Sequence, residues 1–177
     1  PCVASDNYMG GQMAAEKLAD LGCRRVVFFR IGSDLNNEPN KRKAGFENGC
    51  SIRSLPYEIS SLNDDEDPRQ WYDYLKDRIH DGKSEIDGIF CVTDLVAHQI
   101  MGFLKELGLR IPEDVQVIGF DGVHRFGDQE PECSSIVQPV RNIAEMCVEI
   151  LLQEDMQMKP PLVCLPVTYC PGRTTKD

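Results

Sequence analysis

The chain has 177 residues, 41% of them hydrophobic and 27% charged, with a formal net charge of -10 at pH 7. That composition suits one globular domain with a single sizeable core. The negative balance opposes a phosphate backbone, which proteins engage through Lys and Arg, so this segment is not expected to bind DNA alone. No apolar run is long enough to span a bilayer and no basic-then-apolar export pattern opens the chain, so a cytoplasmic protein without a membrane partner is expected. The absence of an initiator Met and a strand-like start suggest a fragment.

In chain order, a short strand is predicted at 2–5, then a helix at 10–21 with Met13, Ala14, Leu18 and Leu21 at helical spacing and Gly22 as its C-terminal cap. The run RVVFFRI at 25–31 reads as a strand buried on both faces, because a continuous apolar run is what a doubly covered sheet requires. A helix at 42–49, a weaker strand at 57–60 and an aromatic-bearing helix at 68–80 follow, with NDDED at 63–67 as an acidic turn. Part of the Trp71, Tyr72 and Tyr74 set is expected to be core. GIFCVT at 88–93 and VQVIGF at 115–120 are further buried strands, separated by a helix at 95–107 that Gly108 closes. A helix at 142–152 and a strand at 162–168 complete the chain. This alternation predicts an α/β fold built on a doubly wound parallel sheet.

The eight cysteines are scattered without a C-x-x-C pair or a short Cys/His cluster, so they read as free thiols and imply no metal and no cofactor. Phosphate-loop, dinucleotide, hydrolase-elbow and zinc-protease motifs are absent, which argues against an enzyme.

In an open α/β sheet, ligands bind beyond the carboxyl ends of the strands. The residues there are polar: Asp6 and Asn7, Gly32 and Ser33, Thr93 and Asp94, Asp121 and Gly122. Carboxylates and amides completed by an Arg suit a neutral polyol, since carboxylates accept from adjacent hydroxyls while a guanidinium donates a fork. Asp6 and Asp94 each stand before a helix, where N-capping is the competing explanation. Asp121 precedes a glycine and an irregular stretch, so capping explains it less well. His80 and His124 read as solvated surface groups and His98 as a packing or subunit-contact residue.

The stretch GLRIPEDVQVIGFD at 108–121 resembles the hallmark segment of the LacI/GalR family of bacterial regulators. Four other segments match in the family's order: ASDNYMGGQMAAEKL at 4–18, RKAGF at 42–46, IFCVTDLVA at 89–97 and SSIVQPV at 134–140. The resemblance implies a periplasmic-binding-protein-like fold, two lobes joined by three crossovers with the effector between them. It makes residues 1–139 the C-terminal lobe, 140–159 a helix and connector of an N-terminal lobe otherwise absent here, and 160–177 the returning strand and tail. It assigns effector binding to Arg42, Asp121, Thr93 and Asp94, and dimer contacts to His98, Met101 and Phe126. The implied partners are a sugar or sugar derivative, a second copy of the chain, and operator DNA reached only through a headpiece outside this sequence. Residues 61–67 lack the aromatic that the family often carries there, which disfavours a flat ligand. A free-standing sugar-binding receptor of the same fold is the alternative reading.

Overall fold

The computed structural model describes residues 2–32, 37–123, 132–152 and 162–177. In chain order the elements are β1 (Cys2–Ser5), α1 (Asn7–Asp20), β2 (Val26–Ile31), α2 (Asn37–Ile52), β3 (Tyr57–Leu62), α3 (Arg69–Lys76), β4 (Ile79–His80), β5 (Lys83–Ser84), β6 (Gly88–Cys91), α4 (Asp94–Glu106), β7 (Gln116–Asp121), β8 (Ser134–Val137), α5 (Val140–Leu152), β9 (Leu162–Leu165) and β10 (Thr168–Cys170).

The main sheet has the order β10-β8-β7-β6-β2-β3. Its pairings are parallel except for β10, which runs antiparallel to β8. Helices cover both faces, as adjacent residues of β7 show. Phe120 points at α1, where a Cβ on Gly10 would meet its ring, while Gly119 points at α4, against Asp94 and Ala97. The strands predicted as buried on both faces are the inner ones, and Val26, Val27, Phe28, Phe29, Ile89 and Phe90 are fully enclosed. On the α1/α2 face, the Phe28 and Phe46 rings both stack near Phe90, at 4.9 and 5.5 Å. On the other face, Trp71 and Tyr74 meet Phe29 edge-on, so part of the aromatic set is core as expected.

Helices α1 and α2 approach until backbone touches backbone. A Cβ on Gly11 would lie 1.9 Å from the Arg42 carbonyl oxygen, and one on Gly45 would lie 1.9 Å from that of Tyr8. Only glycine fits at such a crossing. The crossing brings Arg42 on α2 beside Asn7 at the start of α1.

Several predicted boundaries move. α1 begins at Asn7 because the Asp6 carboxylate accepts from the Met9 amide at 2.9 Å. α2 runs well beyond 42–49, with Pro39 in its first turn, where a missing N–H is harmless. α3 ends at Lys76 instead of reaching His80, because Asp81 and Gly82 both take positive φ and turn the chain into the β4–β5 hairpin. The predicted strand at 162–168 is two strands, interrupted at Pro166: β9 pairs in parallel with β1 as a separate ribbon, and β10 joins the main sheet. Strand β8, too short for a periodicity signal, was not predicted as a strand. On α5 only Ile150 is buried, while Val140, Val148, Leu151 and Leu152 are exposed.

All eight cysteines are free. Burial pushes the Cys23, Cys50 and Cys133 thiols up to about 12, so they behave as small hydrophobes.

Candidate functional site

Arg42 is 7% exposed. Its Nε donates to Asn7 Oδ1 at 2.7 Å and its Nη1 to the Val92 carbonyl at 2.5 Å, while the guanidinium lies 3.7 Å over the Phe120 ring. These contacts fix the plane of the fork. Burial lowers the Arg42 pKa, and the carboxylates of Asp121, Glu38 and Asp94 oppose that shift. Nη2 faces Asp121, whose Oδ1 is 3.7 Å away. That separation is too long for a hydrogen bond, so the two side chains do not consume each other as a closed ion pair would.

Asp121 ends β7 with φ 108°, a left-handed conformation that a side chain rarely adopts. Its Oδ1 accepts from Gln138 Nε2 at 2.6 Å, and the Gln138 amide oxygen in turn accepts from Ser5 Oγ at 2.7 Å. Burial raises the Asp121 pKa, against the lowering influence of Arg42 and Gln138. Arg42, Asp121 and Thr93 line one cavity of about 500 Å³, together with Glu38, Asp64 and the apolar Ile31, Pro39 and Val92. Thr93 is the N-cap of α4, its Oγ1 accepting from the Val96 amide at 3.3 Å, so its hydroxyl proton is left to donate.

Asp94 is brought near this group but turned away from the cavity. Thr93, not Asp94, caps α4. The Asp94 carboxylate, in a residue 2% exposed, accepts from Ser135 Oγ at 2.7 Å through Oδ1 and from the Val123 amide at 2.8 Å through Oδ2. Arranged in this way, the cavity wall offers one guanidinium, several carboxylates and a hydroxyl, a set that can bracket adjacent hydroxyl groups.

Residues 15–175 match the family model for a periplasmic binding protein-like domain. This chain belongs to that family, as an effector domain of the LacI type. It is 32% identical over 179 residues to the "Sucrose operon repressor" of Streptococcus mutans serotype c (strain ATCC 700610 / UA159), a match over 98% of this chain and 53% of that protein. It therefore spans about half the length of that curated relative. Among solved structures it resembles a "periplasmic binding protein/LacI transcriptional regulator" from Alkaliphilus metalliredigens QYMF complexed with D-xylulofuranose, at 25% identity and a TM-score of 0.78. That match covers 99% of this chain and 65% of the other. It also resembles a LacI family transcriptional regulator from Enterococcus faecalis V583 with bound ribose, at 26% identity, TM-score 0.76, and coverage of 98% and 62%. The ribose operon repressor of Halalkalibacterium halodurans is a further relative, 28% identical over 90% of this chain and 47% of that protein.

In the LacI-type domain the residues expected at a subunit contact divide. His98 is half-buried on α4. Met101 is 4% exposed and belongs to the core cluster, beside Ile111 and Thr174, so it offers almost no surface to a partner. Phe126 lies outside the described residues. Asn7, one of the polar strand-end residues, holds Arg42, whereas Glu38, Asp64 and Gln138 carry no role in the sequence reading. Asp64 and Gln138 each follow closely on a strand end, so the strand-end rule identifies them once β3 is extended to Leu62 and β8 is recognised. Glu38 fell in a segment read as loop and lies in the first turn of α2. Among the described residues, no cluster of His, Cys, Asp or Glu could hold a metal ion, and no helix is long and apolar enough to cross a membrane.

Proposed function

We propose that this chain is the effector-sensing and dimerising part of a LacI-type transcriptional regulator that acts in the cytoplasm as a repressor. Its effector is a small hydroxylated molecule, a sugar or sugar derivative, held by Arg42 and Asp121 with Thr93 at the rim. Residues 1–139 with 160–177 belong to one lobe and 140–159 to the other, and the cleft closes between them. Operator DNA is contacted by a headpiece outside this sequence. The observation that carries the reading is a fixed, buried guanidinium facing a strained carboxylate across an open cavity wall, with neither side chain consumed by the other. Sugars bound to the related regulators support the ligand class.

Losing a hydrogen bond to a charged group typically costs about 1.5–3 kcal/mol, or roughly tenfold to hundredfold in affinity. In the full-length regulator, Arg42→Ala and Asp121→Asn are each expected to weaken effector binding by about that factor, leaving effector-free operator binding intact. Calorimetry against a panel of sugars measures this, and wild-type affinity in both variants would remove these residues from the site.

A further inference from the structure

Asp94 is a buried carboxylate that the cavity does not use and that has no Lys, Arg or His within ion-pair distance among the described residues. Its two oxygens are committed to Ser135 Oγ on β8 and to the Val123 amide just beyond β7. Ser135 Oγ also accepts from the Gly122 amide at 3.2 Å. Both amides that follow Asp121 are thus held by one two-residue acceptor unit. The sheet makes room for it: Gly119 on β7 pairs with Ser135, and a Cβ at Gly119 would lie 2.2 Å from Asp94 Oδ1. The held turn is the one in which Asp121 takes its unfavourable φ and Gly122 takes φ 74°. A non-glycine residue persists in such a conformation only where its surroundings over-determine it.

We propose that Asp94 is a positioning residue and not an effector contact: with Ser135 it clamps the 121–123 turn, so that the Asp121 carboxylate faces Arg42 across the cavity. Asp94 is the first residue of α4, so the clamp also ties the N-terminus of that helix to the turn. The inference rests on the reading of Asp121 as a binding group, but the clamp itself can be tested without any ligand.

The test compares wild type, Asp94→Ala, Asp94→Asn and Ser135→Ala in the full-length protein. Two quantities are read: amide exchange at residues 122–123, and the titration of Asp121 by carboxyl-carbon NMR. Removing the acceptors should speed exchange there by about tenfold or more, with exchange in the central strands unchanged. In Ser135→Ala it should also let the Asp121 carboxyl move into water, so that it titrates lower, towards the ordinary carboxylate range. Asp94→Asn keeps an acceptor for Val123 and can donate to Ser135, so exchange at 122–123 should return close to wild type; because the Asp94 charge itself helps raise the Asp121 pKa, the titration is read in Ser135→Ala, which leaves that charge in place. A general loss of stability moves neither local exchange relative to the core nor the Asp121 titration. Wild-type exchange in folded Ser135→Ala and Asp94→Ala, with wild-type Asp121 titration in Ser135→Ala, would overturn the clamp. So would a change in exchange in Asp94→Asn as large as in Asp94→Ala, since charge and not hydrogen bonding would then hold the turn. If Asp94→Ala does not fold, Ser135→Ala decides the matter. Loss of the effector reading would show separately, as sugar affinity unchanged in Asp121→Asn.

Discussion

At residue scale, Asp121 combines two features that work against stability, a positive φ and a buried carboxylate, which the Arg42 guanidinium 3.7 Å away only partly offsets. Strain and desolvation of this kind persist where a side chain is kept for binding. Asp121→Gly removes the strain and the charge together. It is expected to raise unfolding stability by about 1 kcal/mol while reducing effector affinity at least as much as Asp121→Asn. Urea unfolding beside calorimetry tests this, and a variant losing both stability and affinity would contradict it. The raised pKa fixes the sign of the pH dependence. A carboxyl with a higher pKa folded than unfolded binds more protons in the native state between those values, so its contribution to stability falls as pH rises through that window. Effector affinity should run the opposite way, declining as pH drops through the raised Asp121 value, because the protonated carboxyl loses acceptor capacity.

At element scale, the position of Arg42 depends on the α1/α2 crossing, which leaves no room for a methyl group at Gly11 or Gly45. Gly45→Ala must force the helices apart and is expected to destabilise the domain by about 1–3 kcal/mol, more than the small gain alanine brings to an isolated helix. Since Asn7 and Arg42 stand on opposite sides of that crossing, effector affinity should fall with it. Thermal unfolding with calorimetry would show both losses, and a neutral or stabilising Gly45→Ala would mean the helices part freely. The glycines were visible in the sequence within the segments 4–18 and 42–46, but their reason was not. A helical glycine reveals close approach only when the partner backbone is in place.

At the scale of the whole molecule, α4 is the element expected to meet a second copy, and its surface differs from the one read off the sequence. Leu95 is 80% exposed near the start of the helix, whereas Met101 is enclosed. Leu95→Asp is therefore expected to weaken self-association of the full-length protein with the fold retained, while Met101→Asp should unfold it. Sedimentation decides: an unchanged assembly in Leu95→Asp, with dissociation in Val148→Asp on α5, would move the contact to α5. The sequence by itself determined the inner strands β2, β6 and β7, because a strand covered on both faces must be apolar without interruption. It also determined the alternation that makes the sheet mostly parallel, and the strand-end residues Thr93 and Asp121, which share one cavity with Arg42 of α2, the residue the RKAGF resemblance assigned. Tertiary structure alone decided that β8 and β10 extend the sheet, that β9 leaves it for β1, and that the Asp94 carboxylate turns from the cavity to Ser135, 41 positions along the chain. Periodicity and capping are local and so are written in neighbouring residues; a short strand's partner or a buried carboxylate's donor is supplied from a distance, and appears only once the chain has folded.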